Sequence, residues 1–182
     1  MRRFTEAEFV NADNMVRDHL GHFAATAAES ALGQELAEAR RRELLEAKRD
    51  FVMESTFSHA SKLEFVEAAK AAGYRVVVYH LHLRDADLAV GRVASRVARG
   101  GHDAPEARVR GRFERNPPLI RQAALLADQA FVFDGSALAE PPRRVLSLRA
   151  GQVTQVADPL PPWVRRVYAP ELRGRRLRTP PN

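Results

Sequence analysis

The sequence predicts an α/β fold with a mostly parallel sheet flanked by helices, on three observations. Short apolar runs at 8–13, 51–54, 74–83 and 130–134 close on polar or acidic residues, as strands entering turns do. Stretches of ten or more residues with helical spacing of apolar positions lie between them. That alternation of strand and helix is the pattern of βαβ units.

Each element has its own signal. Glu8-Phe9-Val10 is apolar and runs into Asn11-Ala12-Asp13, a strand entering a turn. A long helix is expected from about Ala24 to Lys48, where Leu32, Leu36, Ala39, Leu44 and Leu45 recur near helical period with charge on the other face. Phe51-Val52-Met53-Glu54 is a second short strand, closed by Ser55-Thr56-Phe57-Ser58. Ser61 and Glu64 have capping-box spacing ahead of a helix through about Ala72, and Gly73 stands where a left-handed cap residue belongs.

Tyr74 to Leu83, rich in Val, Tyr and Leu, reads as the clearest strand. Asp85 can cap the next helix, with Leu88, Val90, Val93 and Val97 as its apolar stripe and Gly100-Gly101 as its stop. Pro105 suits the first turn of a further helix, which Pro117-Pro118 is expected to interrupt before Leu119 to Ala127 resumes. Ala130 to Asp134 is a strand, and Val145 to Val156 a hairpin turning at Ala150-Gly151. Residues 1–157 therefore read as one domain. Residues 158–182, with Pro159, Pro161, Pro162 and Arg173-Gly174-Arg175-Arg176, read as a peripheral or disordered Pro/Arg-rich tail.

Composition narrows the function classes. With 182 residues, 45% of them hydrophobic, the chain is long enough for a sizeable core. No apolar run approaches the roughly 18 residues of a membrane span, and the first residues lack the apolar stretch of a signal peptide. Cysteine is absent, which excludes disulfides and thiolate metal sites; a cytoplasmic location is the expectation. The net charge of +6 comes almost wholly from arginine, lysine occurring only at Lys48, Lys62 and Lys70. Arginine grips phosphate bidentately, which suits nucleotides and nucleic acids alike. The aromatic interleaving of a single-strand groove is missing, so nucleic acid is not the expected partner.

Two constellations carry chemistry. Asp13 and Glu54 end successive strands, where ligands bind in an open parallel sheet. A carboxylate there can take a proton from a hydroxyl or hold Mg²⁺, or simply cap the following helix; the hydroxyl pair Ser55 and Thr56 favours the first. The second constellation is Arg92, Arg96, Arg99, Arg108, Arg110, Arg112 and Arg115 around Gly100-Gly101-His102-Asp103-Ala104-Pro105. Arg92 and Arg96 are four apart and share a helix face. Arg110 and Arg112 are two apart and do not, so only one of them can face a given ligand. An arginine-bearing lid over phosphates supplies the positioning and charge neutralisation that phosphoryl transfer needs; a solvated basic helical hairpin is the plain alternative. His80 and His82 lie on one strand face, and two histidines alone make a poor metal site, so no metal is assigned to them.

Phe9-Val10-Asn11-Ala12-Asp13, Glu54-Ser55-Thr56-Phe57-Ser58, Ala72-Gly73-Tyr74, Arg92 to Val97, Gly100 to Pro105 and Ala127 to Asp134 resemble, in order and spacing, the zeta-toxin family. The resemblance implies a P-loop kinase fold using ATP and Mg²⁺. It further implies a toxin that phosphorylates the amino-sugar hydroxyl of UDP-N-acetylglucosamine, and an antitoxin partner that blocks the nucleotide site. By resemblance Asp13 matches the catalytic base, and Glu54 and Thr56 the substrate contacts. Arg96, with Arg110 or Arg112, matches the lid arginines on the ATP phosphates. Asp134 matches an acid after the last core strand and is taken as structural.

One family feature is not in the sequence. A P-loop needs Gly-x-x-x-x-Gly-Lys-Ser/Thr, whose backbone N–H groups cradle phosphate, and no stretch of the sequence fits. In the family that loop and its central strand precede the segment matching Val10 to Asp13. Without them a gap in the sheet is expected, with unpaired backbone and exposed apolar faces. Either the true start lies upstream, or the chain is a truncated relative. The latter makes it a catalytically silent domain that binds a partner only. The DNA 5′ of the start codon discriminates between the two.

Overall fold

The computed structural model describes residues 7–98, 104–138 and 140–173. The chain runs β1 (Glu8–Val10), α1 (Ala12–Leu20), α2 (Ala27–Glu46), β2 (Phe51–Met53), α3 (Ser61–Ala71), β3 (Val77–His82), α4 (Ala86–Val97), α5 (Glu106–Leu126), β4 (Gln129–Asp134), β5 (Arg143–Arg149), β6 (Gln152–Val156), α6 (Pro162–Val167) and α7 (Ala169–Leu172). It is a mixed α/β fold with sheets flanked by helices, as the alternation of strand and helix signals predicts.

The strands form two sheets. β1 and β2 pair in parallel, Val10 opposite Met53. β3 and β4 pair in parallel, and β5 and β6 continue that sheet antiparallel. β2 and β3 do not pair with each other, and among the described residues each has a single strand neighbour. This is the expected gap. Helices and side chains span it: Lys62 of α3 meets Glu38 of α2 at 2.6 Å, and the Tyr74 hydroxyl donates toward Leu44 O at 2.9 Å and Arg49 O at 3.1 Å.

Helix ends follow local chemistry, with corrections. The first helix was not read from the sequence: the Asn11 side chain caps α1, accepting from the Asp13 and Asn14 amides. Gly21 ends it at φ 83°, the left-handed conformation glycine enters without strain. Thr26 and Glu29 then make a reciprocal capping box that starts α2 later than Ala24. The box expected at Ser61 and Glu64 does not form. Ser61 is already the first helical residue, and its amide donates to His59 Nδ1 at 3.2 Å. Asp85 caps α4 as expected, accepting from the Leu88 amide.

Pro117 and Pro118 do not interrupt the last long helix; α5 runs through both. Packing overrides the two lost hydrogen bonds, because Asn116, Pro117, Ala123 and Ala124 are buried on one side. The tail is also corrected. Leu160, Trp163, Val164 and Tyr168 enter the main core beside Val132, Leu146 and Leu148. The proline-rich composition hid apolar residues at helical spacing, so residues 158–173 pack on the sheet rather than trailing from it. Residues 174–182, the rest of that predicted tail, lie outside the described residues.

β3 shows how unequally the second sheet is covered. His80 and His82 are buried against Trp163 and Tyr168, while Tyr79 and Leu81 on the opposite face are 61% and 53% exposed. Tyr79 packs beside Phe131 and Phe133, at centroid distances of 5.5 and 6.2 Å.

Candidate active site

The site grows from the carboxyl ends of β1 and β2, and one amide side chain organises it. Asn11 Oδ1 accepts from the Asp13 amide at 2.9 Å and the Asn14 amide at 3.1 Å. Its Nδ2 donates to Glu54 Oε2 at 3.1 Å. The same residue therefore starts α1 and holds the acid at the tip of the neighbouring strand. Asp13 sits in the first turn of α1, where the helix dipole favours a carboxylate. Its carboxylate is exposed and makes no hydrogen bond or ion pair among the described residues. Gly33 explains how α1 is aimed: a Cβ there would lie 2.7 Å from Ala12 O, so α2 can approach the start of α1 only because position 33 is glycine.

The loop after β2 is a built turn. Phe57 has φ 55°, a left-handed conformation that costs a bulky residue energy, yet its side chain is buried with Val66 and Ala123. Ser55 Oγ accepts from the Phe57 amide at 3.0 Å. Thr56 Oγ1 and Ser58 Oγ lie 2.8 Å apart. Asn116 of α5 closes the turn from below, its Nδ2 donating to Thr56 O and, at 3.1 Å, to Ser58 Oγ.

α5 brings cations to this loop. Arg112 lies one helical turn before Asn116 and so on the same side of the helix. Burial, with the Arg108 and Arg115 guanidiniums beside it, pushes Arg112 below its ordinary value. A half-buried guanidinium among like charges is a place for an anion. Arg110 points elsewhere. It reaches Asp87 of α4 and Glu106 of α5 at 2.7 Å each, and these hydrogen bonds hold it above its ordinary value. Arg96 is in the last turn of α4. Arg92 donates to Gly135 O and Ala137 O, tying α4 to the end of β4. Arg99 to Asp103, the predicted lid turn, lie outside the described residues.

Asn11 thus links the start of α1, which carries Asp13, to Glu54 after β2. Thr56 lies in the following loop, which Asn116 holds, and Arg112 is one turn before Asn116 on α5. Arg110 is turned into an ion-pair clamp. Asp134 accepts from the Ser136 amide and hydroxyl, which makes it part of the turn after β4. His80 shares a 2.8 Å hydrogen bond with the Tyr168 hydroxyl, and His82 stacks on Phe113 at 4.7 Å. Asn11 and Asn116 were missed by sequence reasoning. Asn11 was findable, since Asn directly after an apolar run is a strong helix cap; Asn116 gave no local sign of a partner sixty positions away.

A nucleotide with Mg²⁺ can be tested against these residues. The Arg108, Arg112 and Arg115 cluster gathers positive charge suited to polyphosphate. Among the described residues no group of three or more His, Cys, Asp and Glu gathers for a metal. Mg²⁺ in nucleotide sites needs only one or two carboxylates besides phosphate oxygens, and Asp13 and Glu54 are of that kind.

A mixed α/β fold with parallel strand pairs flanked by helices is consistent with a P-loop kinase-like fold. The sequence matches the zeta toxin family over residues 15–118, more than half the chain, and the protein belongs to that family. Comparison with curated proteins and with solved structures gave no match. No described helix is long and apolar enough to cross a membrane.

Proposed function

We propose that this protein is a toxin-type kinase that moves the γ-phosphoryl group of ATP onto a hydroxyl of a nucleotide sugar, UDP-N-acetylglucosamine. Family membership supports phosphoryl transfer, and the arrangement around Asn11 carries the assignment of roles. Asp13, exposed and unengaged, accepts the proton of the acceptor hydroxyl. The freed oxygen attacks the γ-phosphorus, the bond to the β-phosphate oxygen breaks, and ADP leaves. Glu54, steadied by Asn11, and Thr56 bind the sugar. Arg112 and Arg96 neutralise the phosphates as charge moves toward ADP. Of Arg110 and Arg112, the reading takes Arg112, since Arg110 already serves two carboxylates. Mg²⁺ would supply further charge neutralisation on the phosphates.

The same reading implies an antitoxin that covers the nucleotide site, and a cytoplasmic location, where ATP and nucleotide sugars are found. The test uses the gene product as its host cell makes it, with any in-frame segment ahead of Met1. It is incubated with ATP, Mg²⁺ and UDP-N-acetylglucosamine, and the products are weighed. A sugar nucleotide heavier by one phosphoryl group supports the assignment. ATP turnover with an unmodified sugar nucleotide rejects the acceptor, and no turnover in the presence of bound ATP rejects the kinase.

A further inference from the structure

Asn116 is 5% exposed, and its amide is only half satisfied. Nδ2 donates to Thr56 O and Ser58 Oγ, while the buried Oδ1 has no hydrogen-bond partner among the described residues. A buried amide with an orphaned acceptor is costly, so packing alone does not account for asparagine here; its donor half does. The loop it grips is also held by Phe57, whose left-handed backbone is tolerated because its side chain is buried against Ala123, two helical turns further along α5.

The next two residues weaken α5 at the same place. Pro117 and Pro118 have no amide hydrogen, so Phe113 O and Glu114 O lose their partners four residues on. The helix is softest one residue beyond Asn116. On one side of this joint lie Arg108, Arg112 and Arg115. On the other, Ala123 and Ala124 are fully buried, with Leu119 and Ile120 packed beside Ala123. An anchored half and a cationic half meet where Asn116 holds the loop of Glu54 and Thr56.

We infer that Asn116 is a positioning residue that ties the acceptor loop to the cationic arm of α5, so that the loop takes its working shape only when the arm is in place. The inference rests on the kinase reading for its activity arm alone; the mechanical link can be measured without it.

The first measurement is amide hydrogen exchange on the whole chain. Asn116→Asp keeps the shape but removes the donor. Exchange at the Phe57 amide, which donates to Ser55 Oγ within this loop, should rise about tenfold, with the β3–β4 amides unchanged. The second is steady-state kinetics of the host-made protein with UDP-N-acetylglucosamine and ATP. KM for the sugar nucleotide should rise about tenfold while KM for ATP stays within about twofold. Unchanged loop exchange in a folded Asn116→Asp protein overturns the inference, as does an equal rise in both KM values. Should that variant not fold, Ser58→Ala removes one of the two loop partners and should raise exchange at the Phe57 amide about threefold; no rise overturns the inference. Loosened exchange in a protein with no sugar kinase activity supports the tether and rejects the kinase reading.

Discussion

Asp13 and Arg112 are the residues on which the chemistry turns, and their surroundings make different demands. Asp13 has no partner to lose among the described residues. In the host-made protein, with any in-frame segment ahead of Met1, Asp13→Asn should therefore leave the fold and ATP affinity intact while turnover falls by about 10²–10⁴-fold. ATP binding by calorimetry beside product formation reads both; preserved turnover would end the assignment of Asp13 as base. Arg112 and Arg110 form a matched pair for a second test. Arg112→Ala should weaken ATP binding by about tenfold. Arg110→Ala should leave it unchanged and loosen the contact between α4 and α5, seen as a slightly lower Tm. The reverse pattern would make Arg110 the phosphate contact. Spacing alone could say that Arg110 and Arg112 diverge, but not which one had acids waiting at Asp87 and Glu106.

Among the elements, α1 is the one whose placement matters most. Its start is wedged against Gly33 with no room for a methyl group. Gly33→Ala should therefore push α1 away from α2 and destabilise the protein by about 1–3 kcal/mol. A denaturant midpoint equal to that of the parent would show that α1 moves freely. The strands and most helices were legible because apolar spacing and caps such as Asp85 act locally. α1 was not, because its short amphipathic pattern lay between two stronger signals. The Ser61 box failed because His59 reached the amide first, and α5 survived its prolines because Asn116, Pro117, Ala123 and Ala124 are buried along one side of it. Glu54 was legible as the residue after a strand, whereas Asp13, expected at a strand end, lies in the first turn of α1 because Asn11 starts the helix directly after β1. The loop clamp from Asn116 was not legible, because that contact exists only once α5 has packed.

The molecule as a whole is anchored by the residues expected to trail away from it. Trp163 is wrapped by His80, His82 and the main core, and Trp163→Ala should cost about 3–5 kcal/mol. The same cluster predicts an acid response. Burial pushes His80 down to about 3. Burial and the Arg166 charge push His82 down to about 4, with Asp134 opposing. Unfolded histidine takes its proton near pH 6.5, so between there and pH 4 the unfolded chain binds more protons than the folded one. Stability should be full above about pH 6.5 and fall by up to about 1.4 kcal/mol per pH unit per histidine as pH drops. Urea melts at pH 7.5 and 5 measure this, and replacing His80 with Phe should flatten the profile. An unchanged midpoint at pH 5 would mean that both imidazoles reach water.

β3 leaves one more mark on behaviour. A strand turns successive peptide groups to opposite sides, and here only the side toward β4 is bonded among the described residues. Residue by residue from Val77 to His82, amide protons should therefore alternate between long-lived and quickly lost. A spectrum recorded after transfer to heavy water would keep every second β3 signal, until something lies down along the bare rim and keeps the rest.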